Sequence, residues 1–301
     1  MIMATNSLLF NINELNPEQQ KKFDAVYNEL KDPHRSYVEY KLSLSLRTKL
    51  TYEEEDNAWR YELFRFLRGR KWNVKNTTKS ILDMIQWRID NHVDSILEDQ
   101  NAKLRMDRLE KVVPCANHGY TKVNRPLYIE KSGQINVDEI LQKFTTEELI
   151  QCHIYWLEYY CQLTRERSQN VGQHIESFAI IYDLNHMKMD IRKVFEPLKQ
   201  CLYIEDNYYP ERLGQMFVVN PPRIFPAVWN LIKHFIDPVT KSKILVIKKG
   251  PETSKILLEN INSDQLPSEY GGTCHSCSTS PDCIPVHHQK KDNDTDKDEE
   301  E

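Results

Sequence analysis

Glycine is scarce in this 301-residue chain, which has only eight. A Gly-x-x-x-x-Gly-Lys-Ser/Thr phosphate loop does not occur, and so few glycines leave little room for a dinucleotide fingerprint. Gly-x-Ser-x-Gly and His-Glu-x-x-His are missing too, so hydrolase chemistry has no motif to stand on. No apolar run approaches the roughly 18 residues that a membrane span needs. The opening Met-Ile-Met-Ala-Thr-Asn carries no basic region, and Leu8-Leu9-Phe10 is too short for a secretion-signal core. Seven cysteines is an odd number, and Cys115, Cys152, Cys161 and Cys201 lie scattered in apolar segments, as in a reduced intracellular chain. These absences set the expectation of a cytoplasmic protein without enzymatic activity or cofactor, touching membranes only peripherally; a monomer is expected.

Excess positive charge is lacking as well. The formal net charge is −5, and the last twelve residues alone contribute −4 of it, through seven acids and three lysines. A body so close to neutral gives no global case for nucleic-acid binding. Attraction to anionic membranes must therefore come from local basic clusters.

What is present is helix. Asn16-Pro17-Glu18-Gln19 supplies an N-cap, a proline at the first helical position and an early acid. Thr51-Tyr52-Glu53-Glu54 reads as a capping box, followed at helical spacing by Trp59, Leu63, Phe66 and Leu67. From about Val74, Ile81, Ile85 and Ile89 recur every four residues beside Leu82. Leu46, Leu63, Phe66, Ile81 and Ile85 are read as packing, which makes residues 13–100 a small helical lobe.

After about residue 105 the pattern changes. Arg125 to Glu130 reads as a strand after a turn, and a long helix follows from about Thr146 to Arg165. Three continuously apolar runs come next: 178–182, 216–219 and 244–247, as expected of strands buried on both faces. Helical stretches separate or follow them at about 190–204, 223–236 and 252–261. This order predicts an α/β fold, a helical N-terminal lobe followed by a mixed, largely parallel sheet flanked by helices, over residues 105–279. Residues 280–301 form an acidic tail too polar to order itself.

Two isolated chemical signals have bland readings. Asp183 ends a strand, where an α/β enzyme could place a catalytic carboxylate, but without a partner motif a strand-end cap is favoured. Cys274-His275-Ser276-Cys277, with Cys283, His287 and His288, could hold zinc, yet it lacks a second tight pair. No metal is expected.

Several segments together are more informative. Leu63 to Trp72 with Trp87-Arg88, Asn124 to Lys131, Asp206 to Gly214, Asn220-Pro221-Pro222, Phe235 to Lys243 and Leu266 to Gly272 resemble, in the right order, the CRAL-TRIO lipid-binding family. The match spans about residues 60–272 and is similar above all to the secretory-pathway phosphatidylinositol/phosphatidylcholine transfer branch. The resemblance implies one lipid pocket closed by a mobile helix, phosphatidylinositol with a second hydrophobic lipid as ligands, and Golgi or endosomal work in vesicle trafficking and phosphoinositide metabolism. It implies headgroup binding by Arg70, Lys71, Glu211 and Lys243. The chemistry is apt, because a phosphodiester wants cationic donors and an inositol ring suits a carboxylate acceptor. The alternative for Glu211 and Lys243 is a surface salt bridge of little worth. Carriers of another hydrophobe, sterol- or tocopherol-like, and a lipid-sensing regulator are the other functions weighed.

The resemblance also exposes a departure. Where phosphatidylcholine carriers place hydroxyl residues on the strand before Asp183-Leu184, this chain has Phe178 and Ile180. Tyr128 and Tyr159 are the remaining polar candidates for the pocket wall. Phe225, Val228, Trp229, Ile232, Phe235 and Ile236 recur at spacings of three and four. Periodicity alone reads them as a core helix face; the resemblance reads them as the gating helix.

Overall fold

The computed structural model describes residues 15–31, 52–187 and 193–274, without the side chains of residues 31 and 52–58. Leu46, the Thr51 capping box, the segment from His275 on and the acidic tail lie outside the described residues.

Helices α1 (Pro17–Lys31), α2 (Tyr52–Gly69) and α3 (Val74–Asp90) form the N-terminal lobe. Asn16 opens α1 with a reciprocal cap: its Oδ1 accepts from Gln19 N at 2.9 Å, and its own N–H donates to Gln19 Oε1 at 3.1 Å. Asn73 caps α3 by accepting from Asn76 N. Phe23, Val26, Leu30, Trp59, Leu63, Phe66, Ile81 and Ile85 interlock as the lobe's core, each contributing about 1.5–3 kcal/mol by burial. Ile89 corrects the expected stripe, being 45% exposed. Eight residues at 100° each turn it some 80° off the Ile81 direction, out of the lobe core.

α4 (Gln100–Glu110) leads into a five-stranded sheet of β1 (Cys115–Tyr120), β2 (Pro126–Glu130), β3 (Phe178–Asp183), β4 (Leu213–Val219) and β5 (Ile244–Ile247). The strands lie in sequence order, with β1 antiparallel to β2 and the other pairs parallel. The parallel connections are filled by α5 (Val137–Lys143) and α6 (Thr146–Val171), then α7 (Phe195–Tyr208), then α8 (Phe225–Ile232), a 3-10 turn (Lys233–Phe235) and α9 (Pro238–Ser242). α10 (Pro251–Asn260) follows β5. α6 outruns its expected end at Arg165 by six residues. It starts on a capping box between Thr145 and Glu148 and stops at Gly172, whose φ of 64° suits a residue without Cβ.

Side chains alternate across the sheet. Leu127, Ile129, Ala179, Ile181, Phe217, Val219 and Ile247 meet Leu257 of α10 and Leu266 on one face. Tyr128, Phe178, Ile180 and Met216 face α6 and α7 on the other. β5 is not buried on both faces as expected: Val246 is 44% exposed, because β5 is the edge strand. The Asp183 carboxylate accepts from Asn185 N, Asn220 Nδ2 and Tyr270 Oη, tying loops together at the strand end.

Candidate lipid-headgroup site and pocket

The site is built where the helical lobe meets the loop before β4. Arg65 of α2 donates to the Pro210 carbonyl and pairs with Glu62, which also receives Arg212. Gly69 lets the end of α2 touch this loop, since a Cβ there would lie 2.8 Å from Pro210 Cβ. Burial alone would raise the Glu62 carboxyl, but the Arg212 and Arg65 guanidinium groups hold it down at about 2. Beside it Arg68 reaches Glu176 at 2.5 Å. Burial opposes ionisation of Glu176 too, yet the His174 imidazole 3.6 Å away and the charge of Arg68 bring it to about 2. A second buried cluster joins α3 to α6: Arg88 forks onto Glu158 at 2.7 and 3.1 Å and reaches Asp94, while Tyr209 Oη donates to Glu158 at 2.6 Å.

Bolted this way, residues 140 positions apart in the chain converge. Glu211 adopts φ 64°, a left-handed conformation that is uncommon for a residue with a side chain. Its Oε2 accepts from Lys243 Nζ at 2.9 Å, and the same ammonium donates to the Leu213 carbonyl at 2.9 Å. Both side chains are about 15% exposed, so the pair is largely shielded from solvent. Lys243 is placed by Asp237, which caps α9, and by its own carbonyl, which accepts from Met216 N. Arg70 donates Nε to Ser80 Oγ at 2.8 Å and Nη2 to the Asp206 and Asn207 carbonyls at 2.9 and 3.3 Å. It thereby satisfies carbonyls at the C-terminus of α7. Lys71 is exposed on the turn after α2, with φ 53°.

All four residues line one cavity of about 110 Å³, together with Phe178, Ile180, Tyr182, Met216 and Phe235. The charged groups surround its mouth, and the pocket face of β3 forms its apolar floor. Tyr128 and Tyr159 are not among the lining residues. Tyr128 is buried behind Trp156, with its hydroxyl donating to Glu130 at 2.9 Å. Tyr159 packs edge-on against Tyr160. Trp156, Tyr182 and Arg212 line the cavity without having been singled out in the sequence. Tyr182 was findable, because it continues the Phe178–Ile180 face with period two.

The expected gating segment divides in two. Phe225 and Val228 are buried against Leu184 and Val218, with Trp229 packed beside them. The α-helix ends at Ile232, and the 3-10 turn that follows rotates Phe235 off that face, leaving it 41% exposed over Phe195 at the cavity mouth. Ile224, at 62%, and Leu231 and Val239 point outward as well.

Residues 110–272 match the CRAL/TRIO domain. The chain belongs to that family. Its members related to Sec14 are non-enzymatic lipid-binding and lipid-transfer proteins. Among similar CRAL/TRIO proteins is the Sec14 cytosolic factor of Schizosaccharomyces pombe, 31% identical over 89% of this chain and 87% of that one. Another is the phosphatidylinositol/phosphatidylcholine transfer protein SFH7 of Arabidopsis thaliana, 34% identical over 74% of this chain. The chain spans only about 40% of the length of that plant protein. The crystal structure of Sfh5 superposes with a TM-score of 0.56 at 17% identity, covering 74% of this chain and 75% of that one, which shows a shared fold. No helix among the described residues is long and apolar enough to cross a membrane.

Proposed function

We propose that this CRAL/TRIO protein binds one phosphatidylinositol molecule and moves it between membranes, or presents it at them. The observation that carries the reading is the Glu211–Lys243 pair, shielded and held beside Arg70 and Lys71 at the mouth of an apolar cavity. Lys71 and Lys243 offer cationic donors to a phosphodiester, and Glu211 offers an acceptor to inositol hydroxyls. The name of the Arabidopsis thaliana relative, a phosphatidylinositol/phosphatidylcholine transfer protein, points the same way.

The cavity of about 110 Å³ is well below the roughly 300–1,000 Å³ that drug-sized ligands occupy. Taking up two acyl chains therefore requires an opening movement. α8 and the 3-10 turn are the movable wall in this reading. Their outward apolar residues Ile224, Leu231 and Phe235, flanked by Arg223, Lys233 and His234, suit contact with an anionic bilayer. Once inside, the chains are shielded from water, which at roughly 25 cal/mol per Å² otherwise makes desorption very slow.

Phosphatidylcholine is the weaker ligand in this reading. Phe178 and Ile180 are each 3% exposed and offer no hydrogen bond to a second phosphodiester on the floor. Phe178→Ser with Ile180→Thr is expected to raise phosphatidylcholine transfer in a donor–acceptor vesicle assay; equal wild-type rates for the two lipids would refute the distinction. The direct test of the main reading is native mass spectrometry of the purified protein. A one-to-one phosphatidylinositol complex supports it, and a mass matching another hydrophobe without any inositol lipid overturns it.

A further inference from the structure

Trp156 sits on α6, 9% exposed, and lines the cavity with Phe178, Ile180 and Tyr182. Its Nε1–H is buried and has no hydrogen-bond partner among the described residues. Indole is a donor only, and a buried donor left alone is one of the rarer and more costly features of a folded protein. The neighbouring hydroxyls are already committed. Tyr128 Oη donates to Glu130 and Tyr160 Oη to Asn117, while His153 lies 3.0 Å from Glu205. What surrounds the indole is mostly ring carbon: the centroids of Tyr128, Tyr160 and Phe178 lie at 5.1, 4.8 and 5.2 Å, and the His153 imidazole stacks at 5.9 Å. The indole therefore sits in a largely aromatic part of the cavity wall.

We infer that the Trp156 indole N–H is the polar anchor inside the cavity, bonding a neutral acceptor oxygen of the bound lipid. This deepens the lipid-pocket reading and rests on it. A phosphate does not fit the description, since its charge belongs with Lys71 and Lys243 at the mouth. A bare hydrocarbon does not fit either, because it leaves the donor unsatisfied. The matching chemistry is a single hydroxyl or carbonyl oxygen on a long apolar body. Two sources offer it: the glycerol ester carbonyl of the transferred phospholipid, and a second, single-chain neutral lipid such as a fatty alcohol.

The test uses the full chain labelled with 15N-tryptophan, whose five tryptophans give five indole signals. The protein is loaded with octadecan-1-ol or octadecane, and with diester or diether phosphatidylinositol. The Trp156 proton is expected to move downfield with the oxygen-bearing member of a pair and not with its counterpart. A shift within the phosphatidylinositol pair assigns the acceptor to the transferred lipid; a shift within the alcohol pair assigns it to a second ligand. Retention of octadecan-1-ol over octadecane is expected to be about tenfold, equivalent to about 1.4 kcal/mol, and to vanish in Trp156→Phe. If that variant fails to fold, the wild-type shifts decide. An indole signal that stays upfield and unmoved in all four states means an N–H directed at a ring face and overturns the inference. Equal movement within both pairs overturns it too. Phosphatidylinositol that does not bind in either form sinks the transfer reading alone, and the alcohol pair still decides the role of Trp156.

Discussion

The two faces of the sheet are made from the same five strands and are built for different ends. On the α10 face, Leu127, Ile129, Ala179, Ile181, Phe217 and Val219 are at most 1% exposed, and small and branched aliphatics dominate. On the pocket face, aromatic rings and methionine take the alternate positions, one cavity remains among the described residues there, and the 3-10 turn after α8 adds Phe235 to its lining. Close packing gives the first face one arrangement. The second keeps a cavity, with ion clusters beside it, and in the proposed function the wall over that cavity moves to admit lipid.

Adjacent residues on β4 give the sharpest way to break this contrast. Phe217→Ala, on the closed face, is expected to lose about 3–5 kcal/mol of unfolding free energy. Met216→Ala, one residue earlier and beside the cavity, is expected to lose about 1–2 kcal/mol. Equal losses in chemical denaturation would erase the distinction between the faces.

The rim clusters come next. Removing Glu158 leaves Arg88 buried without its forked partner, so Glu158→Ala is expected to cost about 3 kcal/mol. The rim also sets an acid limit. Glu62 and Glu176 have folded values near 2, below the usual 4.5, so each stabilises the fold above the unfolded value. That contribution falls away as pH drops from about 5 towards 2. Thermal melts across this window should show stability declining with acidification, less steeply in Glu176→Gln; parallel curves would mean that the Arg68–Glu176 contact does not depress the carboxyl.

The smallest stability effect is expected at the movable wall. Phe235→Ala removes a ring that is 41% exposed and should change stability by under about 0.5 kcal/mol. It should nonetheless slow lipid transfer to vesicles. A large loss of stability with unchanged transfer would make this segment ordinary core.

These contrasts were unevenly legible in the chain. β3, β4 and β5 announced themselves as apolar runs, because strands covered on both sides need them. β1 did not: Cys115-Ala116-Asn117-His118-Gly119-Tyr120 has neither a run nor clean alternation, and its pairing is interrupted by a register shift after Asn117. The headgroup candidates were legible only through their resemblance to a family, since nothing local says that Glu211 and Lys243 meet at 2.9 Å. Arg70 shows the limit of residue type as a guide: the same guanidinium that suits a phosphate also holds the end of α7. The Arg88–Glu158 fork, 70 residues apart, and the unpartnered Trp156 depend on tertiary placement that no spacing rule encodes.

The central claim is that the shielded Glu211–Lys243 pair selects an inositol headgroup, and one measurement addresses it directly. Transfer of labelled phosphatidylinositol from donor to acceptor vesicles is compared between wild type and Glu211→Ala with Lys243→Ala, alongside circular dichroism and melting of both. The expected result is a double variant with wild-type secondary structure and cooperative melting, and inositol-lipid transfer at the level of spontaneous exchange. A folded double variant that transfers phosphatidylinositol at the wild-type rate would contradict the account.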